Sequence, residues 1–261
     1  MSADTASLAG RHAFVTGGGK GIGEAIAAAL LDQGACVTIA GRNETTLQTT
    51  VRHLQAKGKI NYVTVDVADN TSVRQAFEHA TVRFGRVDIL INNAGQASSA
   101  SFQKTDDKLW QQMLDVNLTG TFHCTQQVLP AMVQAGWGRI VNVVSTAGLT
   151  GYAYVTAYCA AKHGVVGLTR ALALEVANRG VTVNAVCPGY TETDIMKDAI
   201  ANIVSKTGRS EEQVKAELVA GNPQNRFVQP AEVANAVAWL CMPSATSMTG
   251  QAIAVAGGEV M

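Results

Sequence analysis

The stretch His12-Ala13-Phe14-Val15-Thr16-Gly17-Gly18-Gly19-Lys20-Gly21-Ile22-Gly23 runs from a short apolar segment straight into a cluster of glycines. His12–Thr16 reads as a strand and Ile22–Asp32 as a helix, so the glycines form the turn between them. A glycine loop at that point lets backbone N–H groups approach a pyrophosphate, and the helix dipole favours the same anion. The candidate contacts are Gly17, Gly19, Lys20, Gly21, Ile22 and Gly23. The principal glycines stand at 17, 21 and 23, which departs from the G-x-G-x-x-G spacing. A flexible turn that binds nothing is the alternative, and the loop alone does not settle function.

Outward from this loop, short β-branched runs alternate with longer helical patterns. Cys36–Ala40, Tyr62–Val65, Val87–Ile91, Ile140–Val144, Val181–Val186 and Ala252–Val255 join His12–Thr16 as expected strands. They are continuous apolar runs, as suits strands covered on both faces in a parallel sheet. Helical stretches are expected at Glu44–Lys57, Thr71–Phe84, Asp107–Ala135, Tyr154–Asn178 and Pro230–Leu240. This alternation predicts right-handed βαβ units in one α/β doubly wound parallel sheet of about seven strands, helices on both faces. Residues 191–229 break the rhythm with a polar segment that holds one expected helix near Glu211–Ala220. So placed, the segment reads as a lid over the carboxyl edge of the sheet, where such folds bind ligands.

Composition narrows the function classes. Hydrophobic residues make up 47% of the 261, enough for a sizeable core. Lys plus Arg is 20 and Asp plus Glu is 20, so no global charge points to nucleic acid or an anionic membrane. No apolar run is long enough for a membrane span, and the N-terminus lacks the pattern of a signal peptide. Five scattered cysteines without a CxxC pair, and five histidines without ligand spacing, argue against a disulfide framework or a metal site. A cytoplasmic protein is the expectation.

Further motifs stand where strands end. The second strand closes on Ala40-Gly41-Arg42-Asn43. Dinucleotide folds often place an acid there for the 2′-hydroxyl of the adenosine ribose. Here Gly41 takes that place and Arg42 follows, so a guanidinium, with Lys20, could hold a 2′-phosphate instead. Both could equally be solvated surface bases. Asp66 and Val67 end the third strand, where they could edge and cover an adenine. Asn92-Asn93-Ala94-Gly95 closes the fourth, where an amide such as Asn93 can satisfy backbone groups beside a cofactor. Tyr158 and Lys162 stand at i and i+4 on one helix face. A nearby ammonium favours the phenolate, so a lowered Tyr158 pKa is expected. Ser145 ends the fifth strand and points at the ligand crevice, or simply closes an ST-turn. Asn117, at a position of poor helix propensity, is either a helix-bending polar residue or a member of a proton relay.

Together TGGGKGIG at 16–23, NNAG at 92–95, Asn117, Ser145, YCAAK at 158–162 and Pro188-Gly189 resemble the short-chain dehydrogenase/reductase family. The resemblance runs from about Leu8 to Gly258, and its motifs are specific in their order and spacing. It implies a single Rossmann-type domain spanning 1–261, a nicotinamide cofactor and commonly a homotetramer. By resemblance Tyr158 is the acid–base, Ser145 holds the substrate oxygen, Lys162 tunes Tyr158 and binds ribose, and Asn117 sustains a water relay. Thr191 and Thr193 match positions near the nicotinamide carboxamide and phosphates. Stretches 182–189, 162–167 and 226–234 look like those of polyketide ketoreductases and 3-oxoacyl reductases.

The expectation is therefore an NADP(H)-dependent oxidoreductase interconverting a ketone, a 3-oxoacyl thioester or related carbonyl, and a secondary alcohol. NAD is the alternative cofactor, as in a secondary-alcohol or 3-hydroxyacyl-CoA dehydrogenase working oxidatively. A non-catalytic nucleotide-binding regulator, or an enzyme that epimerises or dehydrates a nucleotide sugar, are further readings. Intact Ser145, Tyr158 and Lys162 weigh against the regulator. Nucleotide-sugar enzymes usually carry a substantial C-terminal substrate domain. No metal, nucleic acid or membrane partner is expected.

Overall fold

The computed structural model describes residues 8–261, apart from the side chains of Ile195, Asp198, Asn202 and Lys206. The stretch read for a leader therefore lies partly outside the described residues, as does the start of the expected 1–261 domain. Seven strands are present: β1 His12–Thr16, β2 Cys36–Gly41, β3 Ile60–Thr64, β4 Ile89–Asn92, β5 Gly138–Val143, β6 Val181–Pro188 and β7 Ala252–Val255. They form one sheet in the order β3-β2-β1-β4-β5-β6-β7, every pair parallel. The order reverses direction between β1 and β4, which is the switch point of a doubly wound, Rossmann-type sheet.

The pleat of each inner strand feeds two cores. Val15, Ile39, Val141 and Val186 face one side with Ile26 and Leu30 of α1 (Gly21–Asp32) and Val233 and Val237 of α9 (Pro230–Cys241). Phe14, Ala40, Ile140 and Val183 face the other, against α3 (Asn70–Phe84), α5 (Gly120–Ala135) and α6 (Thr156–Val176). Continuous apolar runs are thus explained by burial on both faces. The remaining helices are α2 (Glu44–Leu54), α4 (Asp107–Leu114), α7 (Asp194–Thr207) and α8 (Glu211–Val219).

Most element ends shift by one to three residues from expectation, and three larger differences have physical reasons. The expected helix 107–135 is interrupted by a π-helical turn at Asp115–Thr119, centred on Asn117. The helix expected from Tyr154 starts at Thr156, because Tyr154 has φ +67, outside the right-handed helical region. The segment 191–229 holds two helices rather than one, α7 preceding α8, with the Thr193 side chain capping α7. Among the described residues no helix is long and apolar enough to cross a membrane. None of them form a metal-binding group of three His, Cys, Asp or Glu.

Candidate active site

The glycine loop is built around close backbone approaches. A side chain on Gly23 would overlap the carbonyl oxygen of Gly17, so α1 can sit against the loop only with glycine there. Gly17 (φ +63) and Gly21 (φ +57) are left-handed, a conformation that costs a β-carbon dearly. Lys20 precedes α1 in an extended conformation, and no side chain caps that helix end. The first-turn N–H groups are therefore left for an anion, and this cradle fits the pyrophosphate of a dinucleotide.

Asn93 organises the loop from the next strand. Its side-chain amide donates to the carbonyls of Thr16 (3.0 Å) and Gly17 (3.1 Å). The Thr16 hydroxyl accepts from the backbone N–H groups of Asn93 (2.9 Å) and Ala94 (3.0 Å). Asn93 thus acts on the loop backbone, as its amide chemistry suggested. Gly41 is the last residue of β2, and Arg42 is the first beyond it. Arg42 and Lys20 are both exposed, and neither side chain has a hydrogen-bond or ionic partner among the described residues. The Asp66 carboxylate accepts from the backbone N–H of Ala68 at 3.0 Å. β3 ends at Thr64, so Asp66 and Val67 lie beyond the strand rather than closing it, and the Val67 side chain is buried against Gly120 of α5.

Four expected residues gather at the carboxyl edge of β4 and β5. The Asn117 amide donates to the carbonyls of Gln96 and Met113, both at 2.9 Å, and its oxygen accepts from the Gln96 N–H at 3.2 Å. A β-carbon on Gly95 would lie 2.9 Å from that Asn117 oxygen and 3.6 Å from Lys162 Nζ, so amide and ammonium converge on one glycine. Lys162 Nζ donates to the Val143 carbonyl at 3.0 Å and lies 5.6 Å from the centre of the Tyr158 ring. Ser145 Oγ accepts from the Ala147 N–H at 3.1 Å, the ST-turn of the alternative reading, and its hydroxyl also favours the Tyr158 phenolate.

Burial decides the titration here. It pushes the Tyr158 phenol up to about 12, against a smaller downward pull from the Ser145 hydroxyl. The expected lowering is overturned, because burial is the largest influence on the phenol. Burial likewise lowers Lys162 to about 8.

Residues 191–229 begin beside Gly189 and approach the glycine loop. The Thr191 hydroxyl donates to the Gly189 carbonyl at 3.0 Å. Thr193 stands over the glycine loop, its methyl 3.2 Å from where a Gly21 β-carbon would sit. Reading the sequence missed a group beside this: Tyr152, Tyr190 and Glu259 line a common cavity with residues of α7 and α8. No local motif signals them, since they come from three separated loops.

A family model described as short chain dehydrogenase matches residues 11–204. The chain belongs to this family. It is an oxidoreductase by that membership. It is 41% identical over 249 residues to a putative ketoacyl reductase of Streptomyces coelicolor, covering 94% of this chain and 95% of that one. It is 37% identical over 255 residues to a D-beta-hydroxybutyrate dehydrogenase of Cupriavidus necator, covering 97% and 99%. The crystal structure of a phenylalanine-to-tryptophan variant of actinorhodin polyketide ketoreductase with NADPH superposes with a TM-score of 0.92 at 39% identity, covering 97% of this chain and 98% of that one.

Proposed function

We infer that this short-chain dehydrogenase is an NADP(H)-dependent ketoreductase that interconverts a 3-oxoacyl thioester, or a related ketone, with its secondary alcohol. The observation that carries the reading is the gathering of Ser145, Asn117, Tyr158 and the buried Lys162 at the carboxyl edge of the sheet, with Lys162 Nζ on the Val143 carbonyl and 5.6 Å from the centre of the Tyr158 ring. The name of the Streptomyces relative and the NADPH bound to the structural neighbour support it.

Gly17, Gly19, Gly21, Ile22 and Gly23 hold the pyrophosphate. Arg42 and Lys20 face the 2′-phosphate, Asp66 and Val67 border the adenine, and Asn93 fixes the loop. Thr191 and Thr193 hold the nicotinamide end. When bound, NADPH supplies the hydride that forms the new C–H bond at the carbonyl carbon. Ser145 donates a hydrogen bond to the carbonyl oxygen and stabilises the negative charge that develops there. Tyr158, with its raised pKa, is protonated at neutral pH. Its O–H bond breaks as the alkoxide takes the proton, and ketone plus hydride plus proton gives the alcohol. Lys162 stabilises the phenolate left behind, and Asn117 sustains the relay that returns a proton to it.

The chain from 1 to 261 forms one cofactor-binding and catalytic domain, with 191–229 as its lid. It assembles as a homotetramer and works in the cytoplasm. A panel of ketones assayed with NADPH and NADH tests the activity. Tyr158→Phe is expected to cut kcat by about two to four orders of magnitude, the range of general acid catalysis, with NADPH affinity nearly intact by fluorescence titration. Near-normal turnover in that variant removes Tyr158 from the mechanism.

A further inference from the structure

A cavity of about 350 Å³ opens between the lid helices and the chain terminus. That is within the size range of small-molecule sites. Ile203 of α7 and Val214 and Leu218 of α8 supply an apolar wall. The opposite wall is polar and comes from Tyr152, Tyr190 and Glu259. This wall adjoins the proposed reaction centre through the backbone. The Tyr152 hydroxyl contacts the Thr146 hydroxyl at 2.8 Å, and Thr146 follows Ser145. Gly189 and Tyr190 continue the chain beyond β6, and a β-carbon on Gly189 would lie 2.8 Å from Glu259 Oε2. The glycine leaves room for the carboxylate.

The charge of this wall is not balanced. Three charged groups line the cavity: Glu259, Glu217 and Arg209. Arg209 is ion-paired with Glu217, so those two cancel. Glu259 has no cationic partner among the described residues. Its Oε1 accepts from the Tyr152 hydroxyl, while Oε2 has no hydrogen-bond donor among those residues. The Tyr190 hydroxyl is also without a partner among them. A half-buried carboxylate with one free oxygen repels an anion and accepts from a neutral donor, and the effect grows as a bound molecule displaces water.

We propose that Glu259 selects the substrate by charge, so that the cavity takes a neutral ketone whose far end carries a hydrogen-bond donor, an amide N–H or a hydroxyl, and rejects the free oxo acid. The inference rests on the ketoreductase reading and names the substrate class for it. The apolar wall of α7 and α8 covers the carbon chain, Glu259 Oε2 accepts from the donor, and Tyr190 offers a second polar contact. A site for free oxo acids would need a cation on this wall, and the one guanidinium present is held by Glu217.

Methyl ketones of two lengths test it: 5-oxohexanoate and 7-oxooctanoate, each against its amide. The wild type is expected to show kcat/KM at least tenfold higher for the amide than for the acid at one or both lengths. In Glu259→Gln, which keeps the shape and removes the charge, that ratio is expected to fall at least fivefold through a gain on the acid. Tyr152→Phe, which keeps the charge, is expected to keep the discrimination. Saturation-transfer NMR with the corresponding hydroxy acids and hydroxy amides reads binding without turnover. The wild type should bind the hydroxy amide and not the hydroxy acid, and Glu259→Gln should bind both. Equal ratios in wild type and Glu259→Gln, or equal binding of acid and amide by the wild type, overturn the proposal. Cyclohexanone separates the two failures. Reduction of cyclohexanone with unchanged ratios sinks the charge selection alone, whereas no reduction of any ketone sinks the ketoreductase reading and leaves the NMR comparison to decide the charge selection.

Discussion

Lys162 is held in the core with its ammonium on the Val143 carbonyl, and burial brings its pKa down to about 8 from the ordinary 10.5. An unfolded chain keeps that proton to the higher value. Between the two, the folded state binds fewer protons than the unfolded one, so stability rises with pH across that window. A difference of this size corresponds to roughly 3 kcal/mol when fully developed. Lys162→Met removes the titrating group. The stability difference between the two proteins should therefore move towards the wild type as pH rises from 7.5 to 10, by up to roughly 3 kcal/mol. Urea denaturation at each pH measures it, and a difference that does not change with pH contradicts the assignment. The Tyr158 phenol acts in the opposite sense, because its raised pKa makes the folded state hold its proton more tightly and lowers stability above about pH 10. The i, i+4 spacing of these two residues was legible in the sequence, because it depends only on helix geometry. The direction of the phenol's shift was not, because desolvation depends on what the rest of the chain packs around it. Glu259 was illegible for a related reason: only the folded return of the C-terminal segment sets it beside Tyr152.

At the scale of elements, the proposed cofactor preference rests on the end of β2. The strand runs to Gly41, one residue past its expected end, and Arg42 is the first residue beyond it. A carboxylate at 41 would accept from a 2′-hydroxyl and repel a 2′-phosphate. Arg42 and Lys20 instead offer two unpaired charges. Charge-assisted bonds contribute about 1.5–3 kcal/mol each before solvent weakens them. A preference for NADPH over NADH of roughly ten- to a hundredfold follows, at about 1.4 kcal/mol per factor of ten. Gly41→Asp is expected to reverse or abolish it, as kcat/KM for both cofactors would show. A wild type that prefers NADH, with little change in the variant, means that Arg42 does not hold the phosphate. The strands were legible because burial on both faces leaves a continuous apolar run. The π turn was not, because the bonds that anchor Asn117 go partly to Gln96, in a loop distant along the chain. In α7, the Thr193 cap was visible only as a threonine, which caps turns as readily as helices.

At the scale of the molecule, apolar surface remains uncovered. Trp110 of α4, Phe122 of α5 and Leu174 of α6 are exposed, Leu174 by 82%. α5 and α6 cover the same face of the sheet, so Phe122 and Leu174 lie on one side of the protein. Exposed apolar residues of this kind are what the proposed assembly would cover. Light scattering at micromolar concentration is expected to find a homotetramer, and Phe122→Glu with Leu174→Glu a smaller species. A monomeric wild type contradicts the assembly.

The strand order also bears on how the chain is made. β1 lies inside the sheet, flanked by β2 and β4, and Ala13 pairs with Ile89 of β4. The ribosome adds about 76 residues between those two partners. At about 5–20 residues per second, that takes roughly 4–15 s. From the addition of Val37 to the end of that interval β1 has only β2 beside it, and its other edge is open to any strand nearby. The nascent chain is therefore most exposed to mispairing before β4 emerges, and a chaperone that binds extended apolar segments would find Ala13–Val15 presented for that time.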